Sequence, residues 1–342
     1  MERAVKLAIL GANGLITESL LAAIGSHPSL SGEVTLLGSA ESCETLVEFE
    51  QQTLEIQDIE GCGFDEIDIL VATGESEVAG DWLRRALDAG CIVLDIGGHL
   101  APQERAPVIV AAVNGGLLND VSPGSVVVLP DAATTQAASL LHPLLTQLEI
   151  ERVGLFSAQA VSERGRSGVE EMARQTAQML NGKPARPVLF PRQVAFNLVP
   201  MTTDEVMGDV EAADLRIAGR LHQVLGEPDL PIMVSCCWAP VFYGISQAIQ
   251  ITVAGGVDLE AVKRILSQVP YIDAKWDSRE IPTAVTDASG SDFLTVGGLT
   301  GKLKNTTHFS LWAVADNLRF GIAGNAVKIV ELLVKRLFIS YS

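Results

Sequence analysis

The stretch LAILGANGLITESLLAAIG, residues 7–25, joins a short apolar run to a helical pattern through a glycine loop. The run LAIL is uninterrupted, as in a strand that is buried on both faces of a parallel sheet. Apolar residues then recur at Ile16, Leu20, Leu21 and Ile24, which is the period of a helix. A strand, a glycine turn and a helix in this order predict the first unit of a doubly wound α/β domain.

The glycine loop is a candidate site for a dinucleotide. Gly11 permits the turn, and Gly14 would let a pyrophosphate approach the backbone N–H groups at the helix N-terminus. Asn13 and Leu15 flank Gly14 and complete the predicted contacts. Thr17 stands where a third glycine is usual, so we expect slightly looser packing of the helix on the strand. The alternative is a plain strand-to-helix turn that carries two glycines.

Further buried runs alternate with helical patterns up to about residue 131, which predicts a Rossmann-like, doubly wound parallel sheet. The runs 33–39, 67–74, 91–98, 107–114 and 125–130 are predicted strands. Beyond residue 131 the character changes. Residues 152–162 and 231–255 are predicted to be long strands of an antiparallel α+β domain, and 316–338 a long amphipathic helix that ends the chain.

Glu41 follows the second predicted strand. An acidic residue near this position accepts hydrogen bonds from the adenosine ribose hydroxyls and would repel the 2′-phosphate of NADP. If a dinucleotide binds, Glu41 therefore favours NAD over NADP. The alternative is a solvated glutamate in a loop.

Composition excludes several classes of function. The formal net charge is −18, which argues against nucleic acid and anionic membranes as partners. No segment has the length or the apolar character of a membrane span, and no signal peptide precedes the first strand. The five cysteines and five histidines are not in metal-binding spacing, so we expect reduced thiols, no metal and a cytoplasmic protein.

The segment LPDAATTQ, residues 129–136, joins another predicted strand to a helix. Such a turn suits a nucleophile, because the helix N-terminus lowers the pKa of a thiol and stabilises an oxyanion. The turn holds Asp131 and Ala132, however, and neither cysteine nor serine. We interpret Asp131 as the N-cap of the helix. Thr134 and Thr135 have no assigned base to activate them, and Cys236 and Cys237 are interpreted as core residues.

Five motifs together resemble the aspartate-semialdehyde dehydrogenase family over nearly the whole chain. They are GANGLI, VLPDAATTQAASLLHPL, SAQAVSERGRSG, WAPVFYGISQAI and ADNLRFGIAGNAVKI, in the order and spacing of the family. The chain looks most like the divergent Usg-type branch. In this family a cysteine attacks the aldehyde, NADP accepts hydride, and phosphate cleaves the thioester. A histidine serves as acid and base, while arginines hold the substrate carboxylate and the phosphate.

The resemblance implies that the chemical groups of the family have been lost together. Ala132 occupies the position of the nucleophile, and Asp131 that of the asparagine before it. Trp238 occupies the position of the substrate arginine, and Ile245 that of the acid/base histidine. Losing the arginine as well as the cysteine removes the means of binding a doubly charged substrate.

Other family positions are also changed. Ala101 falls on a phosphate-binding arginine, Glu41 on an arginine that meets the 2′-phosphate, and Gly298 and Thr300 on a basic pair. Three positions keep a residue similar to that of the family. Gln159 corresponds to a glutamine of the family, Arg216 to a lysine in a helix, and Asn317 to the position that contacts the nicotinamide.

The resemblance implies two domains: residues 1–131 with 317–342 form the dinucleotide-binding domain, and 132–316 an α+β dimerisation domain. The expected protein is an inactive homodimer with a structural or regulatory role, which could include pairing with an active paralogue. Two alternatives stay open. The first is an NAD(P)-dependent oxidoreductase with an altered, uncharged substrate; the second is a nucleotide-binding sensor.

Overall fold

The computed structural model describes residues 5–27, 30, 33–43, 45–50, 52–73, 79–96, 106–201, 212–277 and 279–337. The backbone divides into two compact units. Unit 1 comprises Met1–Asp131 and Ile322–Ser342, and unit 2 comprises Ala132–Gly321. The sequence placed the return to the first domain at Asn317, whereas the chain leaves unit 2 after Gly321.

Unit 1 has a seven-stranded sheet in the order β3-β4-β2-β1-β5-β6-β7. All neighbouring strands are parallel except β3, which pairs antiparallel with β4. The strands are β1 (Leu7–Leu10), β2 (Val34–Gly38), β3 (Leu46–Phe49), β4 (Gln52–Asp58), β5 (Ile69–Ala72), β6 (Ile92–Asp95) and β7 (Val126–Val128). The helices are α1 (Leu15–Gly25), α2 (Ala79–Asp88), α3 (Ala111–Asn114) and α8 (Asn325–Leu337). The predicted Rossmann-like domain is confirmed.

The central strands of unit 1 explain the uninterrupted apolar runs of the sequence. β5 and β6 are buried at every residue, because side chains on both faces pack into apolar clusters. α8 closes one of these clusters: it buries Ile329, Val330 and Leu333 beside β1 residue Ile9. Burial on both faces removes the alternation that an antiparallel strand would show.

One predicted strand of unit 1 is wrong. In residues 107–114 only Val108 forms a bridge, to Val128, and α3 follows at once. The side chain of Asn114 accepts the N–H of Val110 at 2.9 Å and donates to the carbonyl of Val108 at 2.8 Å. Backbone bonds to the neighbouring strand are therefore limited to those between Val128 and residues Pro107 and Ile109, and the local bonds of Asn114 then turn the chain into α3.

Unit 2 has a seven-stranded mixed sheet in the order β12-β13-β14-β11-β8-β10-β9. The strands are β8 (Ile150–Gln159), β9 (Val199–Pro200), β10 (Ile232–Trp238), β11 (Ile245–Val257), β12 (Ile272–Ala274), β13 (Leu294–Gly301) and β14 (Thr306–Ala315). The helices are α4 (Ala132–Leu145), α5 (Gly165–Leu180), α6 (Ala213–Leu225) and α7 (Leu259–Ser267). α4 packs between α6 and α7 and against β8 and β11. The α+β class is confirmed.

One long strand predicted in unit 2 is wrong, and the predicted C-terminal helix is present but differs in type over its first part. Residues 231–255 form two strands, not one: β10 runs parallel to β8 and β11 antiparallel to it. Pro240 has no N–H for a ladder, and Gly244 turns the chain with φ +90°. The helix predicted over 316–338 begins at Asn317 with a π-helical part, Asn317–Gly324, and continues as α8.

Candidate functional site

The glycine loop lies at the carboxyl edge of the parallel sheet in unit 1. Gly11 has φ +100°, a conformation that favours glycine, and its N–H donates to Leu37 in the neighbouring strand at 3.1 Å. The N–H of Gly14 donates to the Gly11 carbonyl at 3.2 Å, and α1 begins at Leu15. No side chain of the described residues caps α1 at Gly14. The loop therefore has the form of an anion-binding helix N-terminus.

Thr17 does not loosen the packing of α1, which corrects the expectation from the sequence. Its side chain is fully buried, and its hydroxyl donates to the Gly11 carbonyl at 2.7 Å. The hydroxyl of Thr73 lies 3.1 Å from that of Thr17 and donates to the Leu10 carbonyl at 2.9 Å. The two threonines thus fix the loop through hydrogen bonds where glycine would leave space.

We expect Thr17→Val to destabilise the protein by about 1 kcal/mol, because the isosteric side chain keeps the packing and loses the buried hydrogen bonds. Urea unfolding followed by circular dichroism measures the change. The control is Thr45→Val, since Thr45 is exposed in the same unit. Equal effects of the two substitutions would contradict a role for Thr17 in holding the loop.

Asn13 and Glu41 lie on the loops at this edge, and Leu15 is the first residue of α1. Asn13 is exposed, whereas Leu15 is buried in α1. Glu41 is exposed in the turn after β2, and β2 pairs with β1, so both loops leave the same edge of the sheet. This is the edge at which dinucleotides bind in such folds. Contacts of these residues with a cofactor stay predictions.

Ala132 is the first residue of α4 and directly follows Asp131. Ala132 is fully buried. A Cβ atom added at Gly321 would overlap the Cβ of Ala132 and would lie 3.0 Å from the Cα of Ala132. The carbonyl of Ala133 accepts the side-chain N–H of Gln247 at 2.9 Å. The start of α4 is therefore packed against its own unit at the position where the family has a nucleophile.

Trp238 is only 5% exposed and belongs to an apolar cluster with Val161, Met172, Phe190, Val194 and Val199. The ring of Phe190 meets the indole edge-to-face, with the centroids 5.3 Å apart. The guanidinium carbon of Arg164 lies 5.4 Å from the centroid of the indole. At the position of the substrate arginine, the chain thus has a packed aromatic side chain.

Three further family positions in unit 2, Gln159, Ile245 and Asn317, are also buried. Ile245 is fully buried at the start of β11, and Gln159 is buried beside Trp238, its Cα partner across the strands. Asn317 is buried too: its Oδ1 accepts the N–H of Gly244 at 2.9 Å, and its Nδ2 donates to Ser162 at 3.0 Å. Asn317 therefore holds the loop before Ile245, and its contact with a nicotinamide stays a prediction.

Several positions add no catalytic group. Ala101 lies outside the described residues. Arg216 is half-buried in α6, and Gly298 and Thr300 lie in β13. Cys236 and Cys237 are buried in β10, and burial raises the pKa of Cys237. Within the described ranges no cluster of His, Cys, Asp or Glu could hold a metal, and no helix is long and apolar enough to span a bilayer.

Sequence reasoning missed the buried carboxylate that positions Phe190. Glu171 in α5 accepts the backbone N–H groups of Val188 and Leu189 at 2.8 and 2.6 Å. Gln175 donates to Glu171 at 2.7 Å and accepts the N–H of Val194 at 2.9 Å. These bonds fix a segment without regular structure, and only its tertiary fold reveals them.

Comparison with known proteins identifies the family. The family model described as the NAD binding domain of semialdehyde dehydrogenase matches residues 6–120, and the model of its dimerisation domain matches residues 141–320. The chain belongs to the aspartate-semialdehyde dehydrogenase family. The expectation drawn from the five motifs is confirmed at this level.

Relatives in this family match the chain over nearly its whole length. A USG-1 protein homolog of Pseudomonas aeruginosa is 34% identical, with 98% of this chain and 99% of the relative covered. Aspartate-semialdehyde dehydrogenase 2 of Vibrio cholerae is 30% identical, with 99% and 100% covered. The structure of a probable aspartate-semialdehyde dehydrogenase from P. aeruginosa has a TM-score of 0.90 at 34% identity, with 98% and 99% covered.

Proposed function

We propose that this member of the aspartate-semialdehyde dehydrogenase family is a catalytically inactive homologue that still binds a nicotinamide dinucleotide. The observation that carries the proposal is the burial of Trp238 in an apolar cluster at the position of the substrate arginine. A carboxylate substrate needs a fixed cationic donor. A packed indole cannot supply one.

The reaction of the family also needs a nucleophile and a base. A thiolate is nucleophilic near neutral pH and is a good acyl leaving group. The methyl group of alanine at position 132 has neither property. Isoleucine at position 245 cannot transfer a proton. Both side chains are fully buried, which supports a structural role for them.

Support for dinucleotide binding comes from unit 1. The Gly11–Gly14 loop offers backbone N–H groups at the start of α1, and the match to an NAD binding domain covers this loop. The sequence has no lysine or arginine between Lys6 and Arg84, whereas carboxylates recur throughout that stretch. A 2′-phosphate would meet Glu41 and no nearby cation from this stretch, so we propose NAD as the preferred cofactor.

The first test measures the thermal unfolding of the full chain with NAD, with NADP and without ligand. At about a hundred times its dissociation constant, a ligand that binds only the native state adds about 2.7 kcal/mol, a shift of a few degrees. We expect NAD to stabilise more than NADP, and Glu41→Arg to reverse the order. The control is Glu55→Arg, because Glu55 is exposed on β4 of the same unit. If neither cofactor stabilises the protein, dinucleotide binding is refuted.

The second test measures turnover of aspartate semialdehyde with phosphate and either cofactor. The protein is purified from a host that lacks its own enzyme, so that contamination cannot contribute. We expect no turnover above the background without protein. Turnover that copurifies with the chain contradicts inactivity, whatever the result with the cofactors alone.

We propose a homodimer that forms through unit 2, since the match to a dimerisation domain covers residues 141–320. A structural or regulatory role, including pairing with an active paralogue, would use the same unit. Light scattering coupled to gel filtration gives the mass in solution. A monomer at micromolar concentration would contradict a stable homodimer.

A further inference from the structure

Two glutamine side chains join α4 to the sheet of unit 2 in opposite directions. Gln136 of α4 donates from Nε2 to the carbonyl of Ala313 in β14 at 3.1 Å. Gln247 of β11 donates from Nε2 to the carbonyl of Ala133 in α4 at 2.9 Å. Since Gln247 and Ala313 are Cα partners in neighbouring strands, the two amide groups lie side by side between the helix and the sheet.

Each of these amides keeps an oxygen atom that has no donor. Both side chains are at most 1% exposed, and the Oε1 atoms of Gln136 and Gln247 accept no hydrogen bond from the part of the chain that the structure describes. Exchanging oxygen and nitrogen within either amide would place its oxygen against the carbonyl oxygen of Ala313 or Ala133, which fixes the orientation. Buried acceptors in proteins bond to other protein groups or to ordered water. Two such acceptors in one interface indicate a bound donor.

The surroundings of the two oxygens select an uncharged ligand. Residues 132–136, the first turn of α4, include no charged side chain. The row of Cα partners that crosses the sheet at this level is also uncharged and consists of Ser157, Gln247, Ala313 and Val296. A buried cation such as ammonium would need an anionic partner, whereas a neutral donor does not. The small alanine and serine side chains of the row favour a small molecule.

A water molecule meets these requirements. It has two O–H groups, one for the Oε1 atom of each glutamine, and its oxygen can accept a further hydrogen bond. Ser157 can supply that donor: its side chain is fully buried, and its hydroxyl oxygen lies 3.5 Å from Gln247 Nε2. A buried water in a protein typically forms about three hydrogen bonds, which is the number available here.

We propose that one internal water molecule is bound between Gln136 and Gln247. It donates to both Oε1 atoms and accepts from the hydroxyl of Ser157. Together with the two direct amide bonds, this water joins the first turn of α4 to β11 and β14. It thereby fixes the helix that begins at Ala132, whether or not the protein binds a dinucleotide or has catalytic activity.

The first experiment is a crystal structure of the full chain at a resolution that shows ordered water, from crystals grown without ammonium salts. We expect one electron-density peak about 2.8 Å from both Oε1 atoms, the usual distance of an O–H···O hydrogen bond. Absence of such a peak, or a protein donor on either oxygen, overturns the proposal. A peak with contacts of about 2.0–2.6 Å to several oxygens identifies a metal cation and overturns it as well.

Water ¹⁷O relaxation dispersion counts long-lived internal waters in solution. Combining Gln136→Met with Gln247→Met removes both acceptors while keeping the length of the side chains, so we expect the double variant to lose one such water. Gln268→Met is the matched control and should lose none, because Gln268 is exposed at the end of α7. Circular dichroism checks that each variant folds, and the crystal structure of the unaltered chain decides the question if the double variant does not. An unchanged count in a folded double variant contradicts the bound water.

Discussion

Trp238→Arg, which introduces the arginine that the resemblance implies at this position in the active family, is expected to destabilise the protein by about 4 kcal/mol. The indole is 5% exposed, and its neighbours Val161, Met172 and Val199 offer no acceptor for a guanidinium. Arg164 lies over the same ring, so the new charge would also meet a like charge. Phe190 would lose its aromatic partner as well. Guanidinium chloride unfolding followed by circular dichroism measures the loss.

Two controls separate the buried charge from the loss of a tryptophan. Trp238→Phe keeps an aromatic ring beside Phe190 and should cost about half as much or less. Trp276→Arg makes the same substitution at a position near solvent, where the indole N–H donates to Ser267. It should lower the free energy of unfolding by less than about 1 kcal/mol. If Trp238→Arg unfolds at the same denaturant concentration as the wild type, the position can admit a cation, and the main support for inactivity is lost.

This expectation bears on how the activity of the family could be introduced into the chain that we propose to be inactive. Restoring a cysteine at Ala132 supplies one group, but the carboxylate receptor and the base must also return. Each of these positions is now occupied by a buried apolar side chain, so each return introduces a polar group into a packed interior. In the chain that we propose to be inactive, restoring these groups would therefore lower the stability of the protein.

The sequence allowed the fold to be predicted where periodicity and context agreed. The run LAIL indicates β1, because a strand that is buried on both faces is apolar at every residue. The 3.6-residue period after the glycine loop indicates α1, because a helix that is buried on one face is apolar only along that face. The hairpin of β3 and β4 was not predicted, since its exposed edge residues such as Leu46 give no clear alternation. The break between β10 and β11 was also missed, because the apolar run continues through the turn at Pro240 and Gly244.

For the candidate site, the motifs of the sequence indicate candidate positions but not the residues that surround them. Alignment of motifs placed Trp238 and Ile245 at functional positions of the family, but it could not reveal that Phe190 packs on the indole. Phe190 is 48 positions away, and the N–H of its neighbour Leu189 donates to Glu171, a hydrogen bond that no local pattern records. Thr17 is a similar case: its hydroxyl bonds to Gly11 and Thr73, and the latter partner is remote in sequence.

Gly321→Ala is expected to destabilise the protein by about 3 kcal/mol, because the added methyl group would overlap the Cβ of Ala132. The same Cβ would lie 3.0 Å from the Cα of Ala132, so a rotation of a side chain cannot relieve the contact. Ala132 begins α4, whose first turn is fixed by Gln247 and by Gln136, which donates to the carbonyl of Ala313 at 3.1 Å. The helix therefore cannot move away without breaking buried hydrogen bonds.

The compensating change tests this contact directly. Ala132→Gly removes the Cβ that causes the overlap, so the double variant should recover at least about half of the stability lost in Gly321→Ala. Ala132→Gly alone should cost about 1 kcal/mol, as for glycine in a helix. Urea unfolding of the four proteins gives the coupling energy. Additive losses would mean that position 132 is not in contact with Gly321. A large coupling would establish that the residue at the family's nucleophile position now acts as a packing residue of α4.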